Sequence, residues 1–143
     1  MDFARAKQVN DAVRTLAMRH RAAAAQLLAP LGLHPGQEVL LLELHASGPR
    51  TQAQLAAASG CEPPTITGSV RRLEAAGLVV RRPSPTDGRA TIVELSDRAR
   101  SLLPALEDAW CELAARTLAA VSTDPDGLTA TLAEAAEGLR PPG

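Results

Sequence analysis

The chain has 143 residues, of which 15 are basic and 16 acidic, and its formal net charge is −1. This length suits one domain with a single core, and the core must be aliphatic because the chain has one Phe, one Trp and no Tyr. Two distant cysteines do not form the framework of a disulfide-rich secreted protein, and no apolar run reaches the roughly 18 residues of a membrane span. We therefore expect a cytoplasmic protein with no membrane partner.

The basic residues are concentrated in the middle of the chain. Residues 50–100 hold eight of the 15 basic residues but only five of the 16 acidic residues. An anionic partner is therefore expected to bind in this part of the chain.

Helical periodicity marks the N-terminal third. Apolar residues recur at three- and four-residue spacing from Val9 to Leu28, until Pro30 and Gly32 interrupt the pattern. A second helix is expected from near Pro35 through QEVLLLELHA to Ser47, and it is apolar on most sides, as a central buried helix should be.

The next segment has the outline of a helix-turn-helix. Thr51-Gln52-Ala53-Gln54 is a capping box that begins a short helix ending at Ser59-Gly60. Another helix opens at Pro63-Pro64 and ends at Gly77. Pro64 is the expected first helical residue, because proline disfavours helical geometry in the residue before it. Two short helices joined by a tight turn predict a helix-turn-helix.

A β-hairpin is predicted directly after these helices. Two β-branched runs, Leu78–Arg82 and Ala90–Leu95, flank the loop SPTDG, whose Asp-Gly pair is a hairpin signal. A hairpin in this position would make the helix-turn-helix winged.

Two amphipathic helices complete the chain. One follows the expected N-cap Ser96 and carries apolar residues as far as Val121, and Pro104 should kink it or mark its early turns. The other follows Asp124-Pro125 and presents Leu128, Leu132, Ala135 and Leu139 on one side. Together with the N-terminal helix they carry more apolar surface than a winged domain of this size can cover, which predicts a homodimer joined through both ends of the chain.

The helix that starts at Pro63-Pro64 has two contrasting faces. A helical wheel places Ile66, Val70 and Leu73 on a buried stripe. The opposite face carries no acidic residue and consists of Pro64, Thr65, Gly68, Arg71, Arg72 and Ala75. Thr and Arg can donate hydrogen bonds to phosphates and base edges in a DNA groove. This segment alone is equally consistent with an ordinary solvated face, and the capping box, the hairpin and the local positive charge favour DNA binding.

The stretch GPRTQAQLAAASGCEPPTITGSVRRLEAAGLVVRRPSPTDGRATIVELS resembles the winged helix-turn-helix core of the MarR (multiple antibiotic resistance regulator) family. The matching elements are the leucine pattern around Leu41 and Leu44, the run from Pro63 to Val79, and the Asp87-x-Arg89 motif of the wing. The resemblance covers essentially the whole chain. It implies a mainly α fold with a small β-hairpin wing (α+β), in a single domain over residues 1–143. Residues 35–96 would form the DNA-binding lobe, and residues 1–32 and 97–143 would supply the dimerisation helices.

The function implied by the resemblance is sequence-specific transcriptional regulation, by a ligand-relieved repressor that binds a pseudo-palindromic operator in double-stranded DNA as a homodimer. Thr65, Gly68 and Arg71 would lie on the recognition helix, with Arg72 near phosphates. Relatives often carry Lys or Arg at position 68, so Gly68 removes one contact. The expected DNA-binding residues are Thr51, Pro64, Thr65, Thr67, Gly68, Arg71, Arg72, Arg82, Asp87 and Arg89.

Within the wing, the resemblance implies different tasks for the two residues of the Asp-x-Arg motif. Arg89 would enter the minor groove, and Asp87 would pair with Arg81 or Arg82 to brace the loop. The resemblance also implies a small anionic or phenolic effector, bound between the dimerisation helices and the winged lobe. The candidate lining residues Arg14, His20, Arg21 and Trp110 suit solvated or core positions equally well.

Other kinds of site find little support. The histidines and cysteines (His20, His34, His45, Cys61, Cys111) share no short ligand spacing, so we expect no metal and no other cofactor. The chain has no Gly-rich phosphate loop and no compact Ser/His/Asp pattern, which argues against an enzyme.

Two alternative functions are retained. Cys61 precedes the recognition helix, whose N-terminus would favour a thiolate, so a cysteine-based redox-responsive regulator is one alternative. A small structural residue is the preferred interpretation of Cys61, and Cys111 is expected to pack inside a buried helix. The other alternative is a winged-helix protein-interaction or dimerisation module without DNA binding, which should show apolar or acidic residues on the recognition face.

Overall fold

The computed structural model describes all 143 residues, which form six α-helices and a three-stranded antiparallel sheet. The helices are α1 (Phe3–Leu28), α2 (Gln37–Ser47), α3 (Gln52–Ser59), α4 (Pro63–Ala75), α5 (Asp97–Leu118) and α6 (Pro125–Gly138). The strands are β1 (Arg50–Thr51), β2 (Val79–Pro83) and β3 (Thr91–Leu95), and a 3₁₀ turn covers Ala29–Leu31. The predicted mainly α fold with a β wing is confirmed.

Side-chain caps begin three of the helices where the sequence predicts them. At α3, Thr51 Oγ1 accepts the N–H of Gln54 at 3.1 Å and Gln54 Oε1 accepts the N–H of Thr51 at 3.0 Å, which confirms the capping box. Ser96 caps α5 by accepting the N–H of Ala99, and Asp124 caps α6 by accepting the N–H of Gly127. α4 begins one residue before the prediction, at Pro63, because Glu62 is the residue that takes the extended backbone favoured before proline.

β3 is the central strand of the sheet, and β1 and β2 lie antiparallel on either side of it. β2 and β3 form the wing, in which Val79 is opposite Leu95 and Pro83 is opposite Thr91. β1 has only two residues, Arg50 and Thr51, and it joins the start of the helix-turn-helix to the wing.

A single aliphatic core of 19 buried residues extends from the end of α1 to α5. Its fully inaccessible members are Leu55, Val70, Leu73, Val93 and Leu106, contributed by α3, α4, β3 and α5. Burial of Ile66 together with Val70 and Leu73 confirms the predicted inner stripe of α4.

The two ends of the chain take little part in this core. α1 packs against α5 but buries only Ala24 and Leu28, and α6 buries no residue. Large apolar side chains are exposed on both helices and at the C-cap of α6, among them Val9, Val13, Leu16, Met18, Leu132 and Leu139. Cys111 is exposed as well, so the expectation that it packs inside a buried helix is wrong for the single chain. The buried residues of α5 are Ala99, Leu103, Leu106 and Leu113, which lie on a different side of the helix from Cys111.

None of the helices combines the length and the apolarity that crossing a bilayer requires.

Candidate nucleic-acid interface

The outer face of α4 is open to solvent. Pro64, Thr65, Arg71, Arg72 and Ala75 are exposed, and Thr67 and Gly68 are half-buried. The only carboxylate within the helix belongs to Glu74, and it is held in an ion pair by an arginine of the wing. The face that the sequence predicted to be free of acidic side chains is therefore available to an anionic partner.

Two arginines of α4 remain largely free. Arg71 forms no hydrogen bond or ion pair through its side chain, and Arg72 donates one long bond of 3.4 Å to Ser69 Oγ. Their guanidinium groups can turn toward a phosphate or a base without breaking a strong internal contact.

The arginines of β2 are held by carboxylates. Arg81 Nε and Nη2 donate to the two carboxylate oxygens of Glu74 at 3.0 and 2.9 Å. This hydrogen bonding lowers the pKa of the Glu74 carboxyl below its ordinary value of 4.5 and raises the pKa of Arg81. Arg82 Nε donates to Glu94 Oε1 at 3.3 Å. The first pair ties the wing to α4 and the second ties β2 to β3.

These pairs overturn one prediction. Asp87 does not pair with Arg81 or Arg82, because Glu74 and Glu94 lie closer to those guanidinium groups and already neutralise them. The carboxylate of Asp87 instead accepts the backbone N–H of Arg89 at 3.1 Å, in a local turn at the tip of the wing.

Ser84, which sequence reasoning missed, is the other residue that shapes the tip. Its Oγ accepts the N–H groups of Thr86 and Asp87 at 3.3 and 3.2 Å, and its own N–H donates to Ala90 O at 3.0 Å. Ser84 is only 9% exposed. A serine hydroxyl often accepts backbone N–H groups two or three residues later in a turn. This turn signal could have been recognised in the sequence SPTD.

Arg89 forms no side-chain hydrogen bond within the chain, although its backbone is fixed by Asp87. A cavity of about 300 Å³ lies between the end of α4 and the wing. It is lined by Glu74, Arg81, Arg82, Pro83, Gly88, Arg89, Ala90 and Thr91. Arg81 and Arg82 are paired with Glu74 and Glu94, so the unpaired guanidinium group of Arg89 gives this recess its positive charge, which suits it to an anionic partner.

Gly68 has no packing reason to be glycine. A Cβ at this position would lie 3.6 Å from Arg72 Nη1 and 3.9 Å from Nη2, which are ordinary contacts with the end of a flexible side chain. Glycine inside a helix costs about 1 kcal/mol relative to alanine. Nothing inside the protein offsets this cost.

Two threonines of the predicted site already use their hydroxyl groups within the chain. Thr51 is the N-cap of α3, and Thr67 Oγ1 donates to Pro63 O at 3.1 Å. A threonine hydroxyl can accept one bond and donate another, so both residues stay predicted DNA contacts.

The predicted effector residues line none of the five cavities described for the single chain. Arg14, His20 and Arg21 are exposed on α1, and Trp110 is 44% exposed on α5. A cavity of about 470 Å³ lies between α2, α3 and α4.

Cys61 is half-buried, packs against the core and lines that cavity. Its thiol donates one weak hydrogen bond, to the carbonyl oxygen of Ser59 at 3.9 Å. No three His, Cys, Asp or Glu side chains converge in an arrangement that could hold a metal ion.

A three-stranded sheet with a hairpin wing, placed directly after the helix pair α3 and α4, defines a winged helix-turn-helix protein. The sequence model of the MarR family matches residues 33–91, and the chain belongs to this family.

Three known proteins show the likeness. Over 100 residues the chain is 38% identical to the HTH-type transcriptional repressor NicR of Pseudomonas putida (strain KT2440). This match covers 70% of this chain and 63% of NicR, so the chain spans less than two thirds of the length of NicR. The crystal structure of a "probable transcriptional regulator" from Pseudomonas aeruginosa superposes with a TM-score of 0.81 at 33% identity, over 88% of this chain and 95% of the other. BpsR of Bordetella bronchiseptica, whose DNA binding is regulated by 6-hydroxynicotinic acid, superposes with a TM-score of 0.82 at 22% identity, over 99% of each chain.

Proposed function

We propose that this protein is a sequence-specific transcriptional regulator that binds a pseudo-palindromic operator in double-stranded DNA as a homodimer and represses transcription. The observation that carries the proposal is the distribution of paired and unpaired arginines around α4 and the wing. Arg71, Arg72 and Arg89 lack carboxylate partners, whereas Arg81 and Arg82 are neutralised by Glu74 and Glu94. The unpaired guanidinium groups lie on the two elements that winged helix-turn-helix proteins present to DNA.

In this proposal α4 enters the major groove. Arg71, Thr65 and Thr67 would read base edges, and Arg72 and the N-terminus of α3 at Thr51 would contact phosphates. Pro64 and Gly68 would contribute a helix surface with small side chains, which the base edges at the floor of the groove can approach closely. Gly68 supports this role, because no packing contact within the protein requires a glycine at this position. The absence of a side chain leaves room for DNA to approach the helix.

The wing would contact the adjacent minor groove through Arg89. A narrow minor groove has an enhanced negative potential, and it attracts a guanidinium without requiring a specific base. Asp87 would hold the backbone that carries Arg89, and Arg82, which Glu94 neutralises, would stabilise the wing that presents Arg89 to the groove.

The chemistry of the surface argues against the alternative of a protein-docking module. None of the large exposed apolar side chains lies on α4, and its exposed face carries no free carboxylate. Apolar surface is exposed instead on α1 and α6, where we propose that residues 1–32 and 97–143 dimerise while residues 35–96 form the DNA-binding lobe.

An effector is also part of the proposal. BpsR, which has the same fold, responds to a small aromatic acid, and NicR is a repressor. We propose that a small anionic or phenolic ligand relieves repression here, with Arg14, His20, Arg21 and Trp110 meeting across the dimer. We place this regulator in the cytoplasm, together with its operator DNA, and we assign it no catalytic activity.

The test is a mobility-shift assay with DNA from upstream of the protein's own gene, at several salt concentrations. We expect a discrete complex whose affinity falls steeply with salt, because arginines displace condensed counterions. The double variant Arg71→Ala/Arg72→Ala should lose the complex. Arg116→Ala is the matched control, since Arg116 pairs with Glu112 on α5 and lies outside the site. Equal behaviour of the double variant and the control would contradict the assignment of this face.

A further inference from the structure

The C-terminal end of α4 is fastened to the N-terminal end of α5 by three hydrogen bonds. Arg98 Nη1 donates to Ala76 O at 2.6 Å, and Ser96 Oγ donates to Gly77 O at 2.7 Å. The N–H of Ser96 donates to Leu78 O at 3.0 Å. Three consecutive carbonyl groups at the end of the helix are thus satisfied by residues 96–98.

Arg98 suits this position for two physical reasons. The last carbonyl groups of a helix have no partner within the helix, and the negative end of the helix dipole favours a cation there. Arg98 supplies both a donor and a positive charge, and it has no carboxylate partner of its own. Gly77, with φ +74°, makes the turn beneath it, and a Cβ at that residue would lie 3.6 Å from Arg98 Nη1.

Outside this joint, α4 and α5 make few direct contacts with each other. α4 packs mainly against α3 and β2, and it shares no extended packed surface with α5. Ser96 is also the N-cap of α5, because its Oγ accepts the N–H of Ala99 at 3.1 Å. The joint therefore connects the start of a helix proposed to dimerise directly to the end of the helix proposed to read DNA.

A small rotation at this joint has a large effect at the far end of α4. A helix of 13 residues is roughly 20 Å long at about 1.5 Å per residue. A tilt of about 5° at its C-terminus moves its N-terminus by nearly 2 Å, compared with roughly 3.4 Å between successive nucleotides of one strand. In a two-fold dimer both helices would move, so the separation of the two half-sites would change with them.

We propose that Arg98 is a positioning residue that sets the half-site spacing the dimer accepts. It acts through the carbonyl oxygen of Ala76 and needs no contact with DNA. This inference rests on the proposed function. The joint formed by residues 96–98 would link the arrangement of the two protomers in the dimer to the spacing of the operator half-sites.

The experiment uses the full-length protein and a duplex selected for wild-type binding, together with two duplexes in which the half-site spacing is changed by one base pair in either direction. For each protein the readout is the ratio of Kd values between altered and original spacing. Arg98→Ala should lower this ratio by roughly 2- to 30-fold, the range of coupling that single positioning contacts carry. Arg98→Lys, which keeps a cationic donor, should restore most of it.

Arg100→Ala is the matched control, because Arg100 is also on α5 but pairs with Asp97 at 3.1 Å instead of reaching α4. It should keep the wild-type ratio. If Arg98→Ala folds poorly, Arg98→Gln serves as the second variant, since it stays polar but is too short to reach the carbonyl in the same geometry.

The outcomes separate this inference from the function on which it rests. A wild-type protein that prefers no duplex over random DNA would contradict the proposed function and this inference together. A wild-type protein with a clear spacing preference that Arg98→Ala keeps unchanged would overturn the inference alone. The inference alone is also overturned if Arg98→Ala loses affinity equally at every spacing, since that is the behaviour of a phosphate contact.

Discussion

At the scale of single residues, the arginines around α4 and the wing divide according to whether a carboxylate holds them. Arg81 and Arg82 are paired with Glu74 and Glu94, and we assign them to the architecture of the wing. Arg71, Arg72 and Arg89 have no such partner, so their charges remain available to an anionic molecule that binds this surface. A neutralised arginine gains little from a phosphate, whereas an unpaired one can displace a counterion.

Arg71 and Arg72 should differ in what they recognise. Arg71→Ala should weaken binding to a verified operator by about 1–3 kcal/mol and relax the base preference at one position, as expected for a lost base contact. Arg72→Ala should weaken all sequences similarly and reduce the salt slope by about one. Fluorescence anisotropy with the operator and with point-substituted duplexes separates the two. If neither substitution changes binding, the assignment of this helix face is wrong.

The two residues of the wing motif should also behave differently. Arg89→Ala should lower affinity mainly for operators with A·T-rich flanks, where the minor groove is narrow and most negative. Asp87→Ala removes the acceptor for the Arg89 N–H and should lower affinity more evenly, by loosening the loop. Both variants are measured on two operators that differ only in flanking A·T content. Equal losses for Arg89→Ala on both operators would refute insertion into the minor groove.

At the scale of elements, most of the fold follows from local signals in the sequence. The capping box at Thr51, the N-cap Ser96 and the Asp-Gly turn each act within four residues, so they could be predicted without knowing the tertiary structure. Strand β1 could not, because two residues become a strand only through pairing with Val93 and Ile92, some 40 residues later. The partners of Arg81 and Arg82 could not be predicted for the same reason. The sequence shows which carboxylates are present, but it does not show which of them lies nearest to a given arginine in the fold.

The glycine within the recognition helix gives a test in which stability and function should move in opposite directions. Gly68→Ala should raise the free energy of unfolding by about 1 kcal/mol, because alanine is the better helix former and the site has room for a Cβ. It should nevertheless weaken operator binding if the groove floor approaches the helix there. Urea unfolding and operator titration are measured on the same preparation. A variant that is more stable and binds equally well would leave Gly68 without a role in recognition.

At the scale of the whole molecule, the two ends of the chain are incomplete in a single copy. α6 buries no residue, and α1 leaves Val9, Val13, Leu16 and Met18 exposed along most of its length. Apolar surface of this extent usually marks an interface, and a second copy of the same chain would cover both helices at once. Residues exposed on α1 and α5, such as His20 and Trp110, could then form the effector site.

We accordingly expect a stable dimer in solution. Light scattering at micromolar concentration should give twice the mass of the 14.9 kDa chain. Leu132→Asp, on the apolar side of α6, should shift the equilibrium toward monomer because it places a charge in the interface. Ala130→Asp, two residues away and so on the other side of the helix, is the control and should remain dimeric. A wild-type monomer would remove the basis for a two-fold operator.

The central claim is that α4 of each protomer in a dimer reads one half of a pseudo-palindromic site. Its most direct test is selection of duplexes from random DNA by the wild-type protein, followed by footprinting of the selected sequence. We expect two inverted half-sites centred about 10 base pairs apart, roughly 34 Å along the duplex, with Arg71→Ala protecting the same site but losing selectivity within each half. Selection that yields no two-fold sequence, or one that Arg71→Ala binds with unchanged preference, would contradict it.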